Sequence, residues 1–121
     1  MKNTITPEVK KLIETNQLAL ATIMPDGRPN VISVANAQVV GDLQLLLTDN
    51  YMNQTLTDIL NDPHVVALVW NKDNKGAKLI GTAEYFDRGQ WWERVKQWPS
   101  NKNFPVKGAV LITITNIIIS A

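Results

Sequence analysis

Six short apolar runs, each closed by a turn-forming cluster, restrict this chain to strands joined mostly by tight connections. Residues 18–24 (LALATIM) are apolar on both faces, which suits a buried strand rather than a half-solvated one. Pro25-Asp26-Gly27-Arg28-Pro29 then supplies turn chemistry, and residues 30–40 resume as a strand, so the two form a hairpin. Gly41-Asp42 turns the chain into a third strand over 43–48. Residues 64–70 and 77–86 make a second hairpin about the polar turn 71–76, and 107–118 form the last strand. Three short helices are interleaved. The first opens on Thr6-Pro7-Glu8, a hydroxyl cap, a proline at the first helical position and an acid at the positive end of the dipole; Val9, Leu12 and Ile13 form its apolar stripe. Met52, Leu56, Ile59 and Leu60 mark the second, which must stop before Pro63. Trp91, Val95 and Trp98 mark the third, closed by Pro99-Ser100-Asn101. The order helix, three strands, helix, two strands, helix, strand predicts a mainly β fold, a small antiparallel barrel with helices as plugs and crossovers.

Composition narrows the chemistry. At 121 residues, 45% of them hydrophobic, the chain makes one domain able to bury a core without staples. With no cysteine, thiol catalysis, disulfides and Cys-based metal sites are excluded, and the single histidine, His64, removes His-rich metal sites and Ser-His arrangements. His64 reads as structural. Twelve basic against eleven acidic residues give a net charge of +1, which offers no electrostatic case for nucleic acid or an anionic membrane. No apolar run approaches the ~20 residues of a membrane-spanning helix, and Met1-Lys2-Asn3-Thr4-Ile5-Thr6-Pro7 lacks a signal-like apolar region, so a cytoplasmic location is expected. Neither a Gly-x-Gly-x-x-Gly nor a P-loop pattern occurs.

Two stretches could carry chemistry. Along the strand 30–40 one face reads Val31, Ser33, Ala35, Ala37, Val39, a run of small residues that either admits a flat ligand or packs tightly against another strand. Thr48-Asp49-Asn50-Tyr51-Met52-Asn53-Gln54-Thr55 gathers hydroxyl and amide groups where a strand gives way to a helix. Such a helix start suits a phosphate, and the same residue types serve ordinary N-capping. Asp49 opposes an anion unless its side chain turns away or caps the helix. Trp91, Trp92 and Trp98 suggest a subunit interface, and no acid–base pair can be assigned from spacing.

Taken in order, residues 18–33 (LALATIMPDGRPNVIS), 46–70 (LLTDNYMNQTLTDILNDPHVVALVW) and 78–85 (KLIGTAEY) resemble the pyridoxamine 5′-phosphate oxidase-related, FMN-binding split-barrel proteins, especially their short members. The likeness covers nearly the whole chain. It implies a six-stranded antiparallel split barrel, assembled as a homodimer with one FMN at each end of the subunit interface. Carried over by position, it implies that Ser33, Val34 and Ala35 lie along the flavin and that Thr48, Asp49 and Asn50 border the ring and ribityl chain. Asn53, Gln54 and Thr55 fall where the family grips the phosphate. Gln54 stands where the family usually has a basic residue, which implies weaker FMN binding, by about 1 kcal/mol or more, unless Lys78, Lys107 or Arg28 reaches the phosphate. The implied activity is that of a flavoprotein oxidoreductase or electron carrier. The same fold with another ligand, haem or a deazaflavin, and a dimer that has lost its flavin are the alternatives. Pyridoxamine phosphate oxidation itself is not expected, since the extra basic substrate-binding residues of the true oxidases find no counterparts.

Overall fold

A computed structural model describes residues 4–120; the part of the N-terminal reading that rests on residues 1–3 lies outside them. Three helices, α1 (Pro7–Thr15), α2 (Gln54–Asn61) and α3 (Gln90–Lys96), accompany seven strands: β1 (Leu18–Ile23), β2 (Pro29–Val34), β3 (Ala37–Gly41), β4 (Gln44–Asp49), β5 (His64–Trp70), β6 (Gly76–Phe86) and β7 (Gly108–Ser120). A single 3₁₀ turn, Pro99–Asn101, follows α3. The capped start of α1 is as the sequence predicts, with the Thr6 hydroxyl accepting from the Val9 amide and Pro7 in the first turn.

The strands form one sheet in the order β2-β1-β5-β6-β7-β4-β3, every neighbouring pair antiparallel. Two expectations are corrected. The sheet has seven strands rather than six, and it is open rather than a closed barrel. Both corrections have one cause: the stretch 30–40 is two strands, broken at Ala35-Asn36. Val34 pairs with Leu18 on one edge of the sheet and Ala37 with Leu47 on the other. Two residues span only a few ångströms, so the two edges must lie close together, and the sheet curls until they do. No ladder joins them, and that gap is the split.

The curl depends on the long central strands. Between Ile80 and Gly81 the register of β6 against β7 slips, and a Cβ on Gly81 would collide with the Thr113 carbonyl, so only glycine permits this approach. Inside the curl, Leu20, Leu45, Leu47, Ala67, Val69, Leu79, Val110 and Ile112 are sealed from solvent together with Ile13 of α1. A second cluster on the other side of β4 and β7 joins Leu46 and Ala109 to Val95 and Trp98. Of the three tryptophans, Trp98 is buried in this cluster, Trp91 and Trp92 lie half-buried against it, and the Trp92 indole donates to the Val106 carbonyl at 3.1 Å. β1 also departs from its expected two-sided burial, with Leu18, Leu20 and Thr22 buried and Ala19, Ala21 and Ile23 more open. Among the described residues no helix is long and apolar enough to cross a membrane.

Candidate functional site

A cavity of about 390 Å³ opens where three segments converge: the β2–β3 corner, the β4–α2 turn and the loop before β7. Ser33, Val34 and Ala35 form one wall with Ile32 and Asn36; Thr48 and Asn50 form a second; Asn53, Gln54 and Thr55 form the floor at the start of α2. Eight of the nine residues singled out in the sequence thus meet in one place. Asp49 does not. Its side chain is fully buried, with one carboxylate oxygen accepting the Met52 amide at 2.7 Å and the other the Tyr85 hydroxyl. Turning away in this manner takes its carboxylate out of the cavity lining and satisfies both oxygens within the scaffold.

Tyr51, part of the 48–55 cluster but given no role of its own in the sequence, and Phe104, which the sequence reading missed, rim the mouth with ring centroids 6.5 Å apart in an edge-to-face arrangement, both substantially exposed. Phe104 sits in an irregular loop with no periodicity to flag it. That loop is nonetheless anchored. Val106 takes a positive φ of 28°, an uncommon conformation for a β-branched residue, and is held there by the Asn50 side-chain oxygen on its amide and the Trp92 indole on its carbonyl. Lys107 bonds the Asp49 carbonyl through its amide and the Met52 carbonyl through its ammonium, at 2.8 and 2.7 Å.

The floor is built around a second buried carboxylate. Asp58 is fully buried and receives the Thr22 hydroxyl and the Gln54 side-chain amide, each at 2.7 Å. The Asn30 amide nitrogen in turn donates to Thr22 Oγ1 and Thr55 Oγ1, both at 3.2 Å. The inward face of α2 is accordingly Thr55, Asp58 and Ile59, while Leu60, expected on the apolar stripe, is 72% exposed. Asn53, the residue before α2, makes no side-chain cap bond, so the first turn, whose Gln54 and Thr55 line the cavity, is uncapped.

Charge is scarce here. No lysine or arginine among the described residues lines the cavity. Of the three candidates for an anion, Lys107 has its ammonium on the carbonyl of the lining residue Met52. Arg28 is paired with Asp26 on the exposed β1–β2 turn, and Lys78 lies on β6 between Leu68 and Ile118. Burial, and then the Asp49 carboxylate beside it, push the Tyr85 hydroxyl well above the usual phenol range, so it serves as a neutral donor. His64 is exposed and clasps Asp62 at 2.7 Å; its backbone amide and then its ring hold the Asp62 carboxyl below the ordinary range. No cluster of potential metal ligands occurs among the described residues.

Comparison with known proteins agrees with this architecture. A family model described as pyridoxamine 5′-phosphate oxidase matches residues 5–119. An uncharacterized protein of Methanocaldococcus jannaschii is 32% identical over 117 residues, covering 93% of this chain and 78% of that one. Among solved structures, HupZ of Group A Streptococcus superposes with a TM-score of 0.88 at 24% identity, over 95% of this chain and 93% of that one. An FMN-binding protein of Syntrophomonas wolfei superposes with a TM-score of 0.78 at 18% identity, over 93% and 84%. At these identities the solved structures show a common fold. With the family model matching almost end to end, the chain belongs to the pyridoxamine 5′-phosphate oxidase family.

Proposed function

We propose that the protein binds FMN in this cavity and works as a flavoprotein oxidoreductase or electron carrier. The observation that carries the reading is the convergence of Ser33, Val34, Ala35, Thr48, Asn50, Asn53, Gln54 and Thr55 on one cavity, in a chain of this family. The residues fit the cofactor in kind. A small-residue wall admits a flat ring, the aromatic rim at Tyr51 and Phe104 supplies stacking surface, and the uncapped start of α2 supplies free amides for a phosphate. FMN, when bound, brings hydride and single-electron transfer, so the chain itself needs no catalytic dyad. Its own residues bind the tail, orient the ring and limit water. The phosphate grip rests on neutral donors with Lys107 in reserve, and affinity is correspondingly lower than a basic residue at position 54 would give.

Assembly as a homodimer belongs to the same proposal. Register places Ser33, Ala19, Leu68, Lys78 and Ile118 in one row across the outer face of the sheet, with Val31, Ala21, Val66 and Ile80 in the next. Val31 is 66% exposed and Trp70, on the same face, 50%. A second copy is the occupant that suits this apolar face, and because Ser33 also lines the cavity, that copy would complete the cavity wall.

Fluorescence titration of FMN into flavin-free protein tests the reading. Saturable quenching at one flavin per chain is expected, tightened by Gln54→Lys; absence of saturable binding would refute it.

A further inference from the structure

Resting on the flavin reading and deepening it, we propose that Asp58, which does not itself line the cavity, is the positioning residue that fixes the hydrogen-bond polarity of the cavity floor and so selects a phosphate-bearing ligand over its neutral counterpart. Donors and acceptors along the relay leave a single consistent arrangement. A carboxylate only accepts, so the Thr22 hydroxyl must spend its one proton on Asp58, 2.7 Å away. Thr22 Oγ1 is then available to Asn30 only as an acceptor. That requires the nitrogen of the Asn30 side chain, not its oxygen, to face Thr22, and the second hydrogen of the same nitrogen goes to Thr55 Oγ1. Thr55 therefore has its oxygen engaged as acceptor. Its own proton finds no acceptor among the described residues, although the residue is 1% exposed and lines the cavity.

Gln54 is set the same way. Its amide nitrogen is turned to Asp58 at 2.7 Å, which uses one hydrogen and leaves the other for a ligand. The carboxylate thus propagates a single sense of donation through two branches. The buried Thr55 Oγ1–H and the solvent-facing Gln54 Nε2–H remain, beside the uncapped first turn of α2, as donors without a protein acceptor. A buried hydroxyl proton without a partner is costly unless a ligand takes it. The class of group that satisfies such a set is an anionic oxygen acceptor, a phosphate monoester before a hydroxyl, since a hydroxyl brings a donor of its own.

The opposing reading is direct repulsion: a buried negative charge close behind the floor would disfavour a phosphate. The two readings predict opposite signs, which makes the test sharp. Dissociation constants for FMN and riboflavin, which share a ring and differ in the phosphate, are measured on the wild type, Asp58→Asn, Thr55→Val and Thr55→Ser. We expect Asp58→Asn and Thr55→Val to weaken FMN by roughly tenfold or more while shifting riboflavin less than about twofold, and Thr55→Ser to retain discrimination. FMN binding tightened by Asp58→Asn would overturn the proposal in favour of repulsion. An equal loss for both flavins would overturn it in favour of a purely structural role. Should Asp58→Asn not fold, the Thr55 pair decides alone, with an unchanged FMN-to-riboflavin ratio in Thr55→Val as the refuting result. Inorganic phosphate, followed through the amide resonances of Gln54 and Thr55, separates this proposal from the flavin reading. Phosphate binding that Thr55→Val abolishes, in a protein that takes neither flavin, supports the donor floor and refutes the flavin. Wild-type protein that binds none of the three refutes both.

Discussion

Asp49 and Asp58 are both fully buried carboxylates that bond to neutral donors, yet they do different things. Asp49 receives the Met52 amide and the Tyr85 hydroxyl, and its carbonyl takes the Lys107 amide, so its bonds close the β4–α2 turn on itself and tie it to β6 and to the loop before β7. Its bonds end within the scaffold. The partners of Asp58 are side chains whose further bonds run out to the cavity wall at Gln54 and Thr55. Identical residue types at identical burial are distinguished by where their hydrogen-bond chains terminate. One shapes the pocket, and the other sets what the pocket offers.

The largest effect that would break this contrast is on stability at Asp49. Asp49→Ala strips partners from the Tyr85 hydroxyl and the buried Met52 amide, and a loss of roughly 2–5 kcal/mol is expected by denaturant titration. A variant within 1 kcal/mol of wild type would show that the clasp is not structural. Smaller, and directed at the same clasp, is Gly108→Ala. Its new Cβ would run into the Tyr85 ring and hydroxyl, which the Asp49 bond prevents from swinging aside, at a cost of about 1–3 kcal/mol. If the Tyr85 ring is free to move, the same substitution is nearly neutral. Least in size is a pH effect. The folded-state pKa of Tyr85 is raised above its ordinary value of 10.0, so its contribution is complete below that pH and is lost as pH rises above it. Thermal melts should show a falling alkaline limb that Tyr85→Phe flattens; an unaltered limb would sever Tyr85 from the clasp.

The same contrast explains what could be read without a structure. Helices and strands announced themselves through apolar spacing and through punctuation at Pro7, Gly27, Gly41 and Pro63, and the seven-stranded sheet differs from expectation at one step. Ala35-Asn36 carries neither glycine nor proline, and the alternation through 30–40 is unbroken, so nothing local marks a strand that changes edges. Eight lining residues were legible because binding-site residue types cluster on two segments that family resemblance brings together. Asp58 was not. An acid within a helical stretch reads as a solvated position, and only the neighbours brought by β1 and β2, Thr22 and Asn30, convert it into a buried acceptor. The role of Phe104 rests on a loop held by contacts more than fifty residues distant in sequence, a relation no spacing rule encodes.

On the proposed reading FMN sits in the cavity with its phosphate at the start of α2. Amide chemical-shift mapping during an FMN titration tests it most directly. Saturable shifts are expected to concentrate on residues 33–35, on Asn50 and on Gln54 and Thr55, with riboflavin reproducing the first two sets and sparing the third. Shifts centred on another surface, or a third set that moves equally with riboflavin, would contradict it.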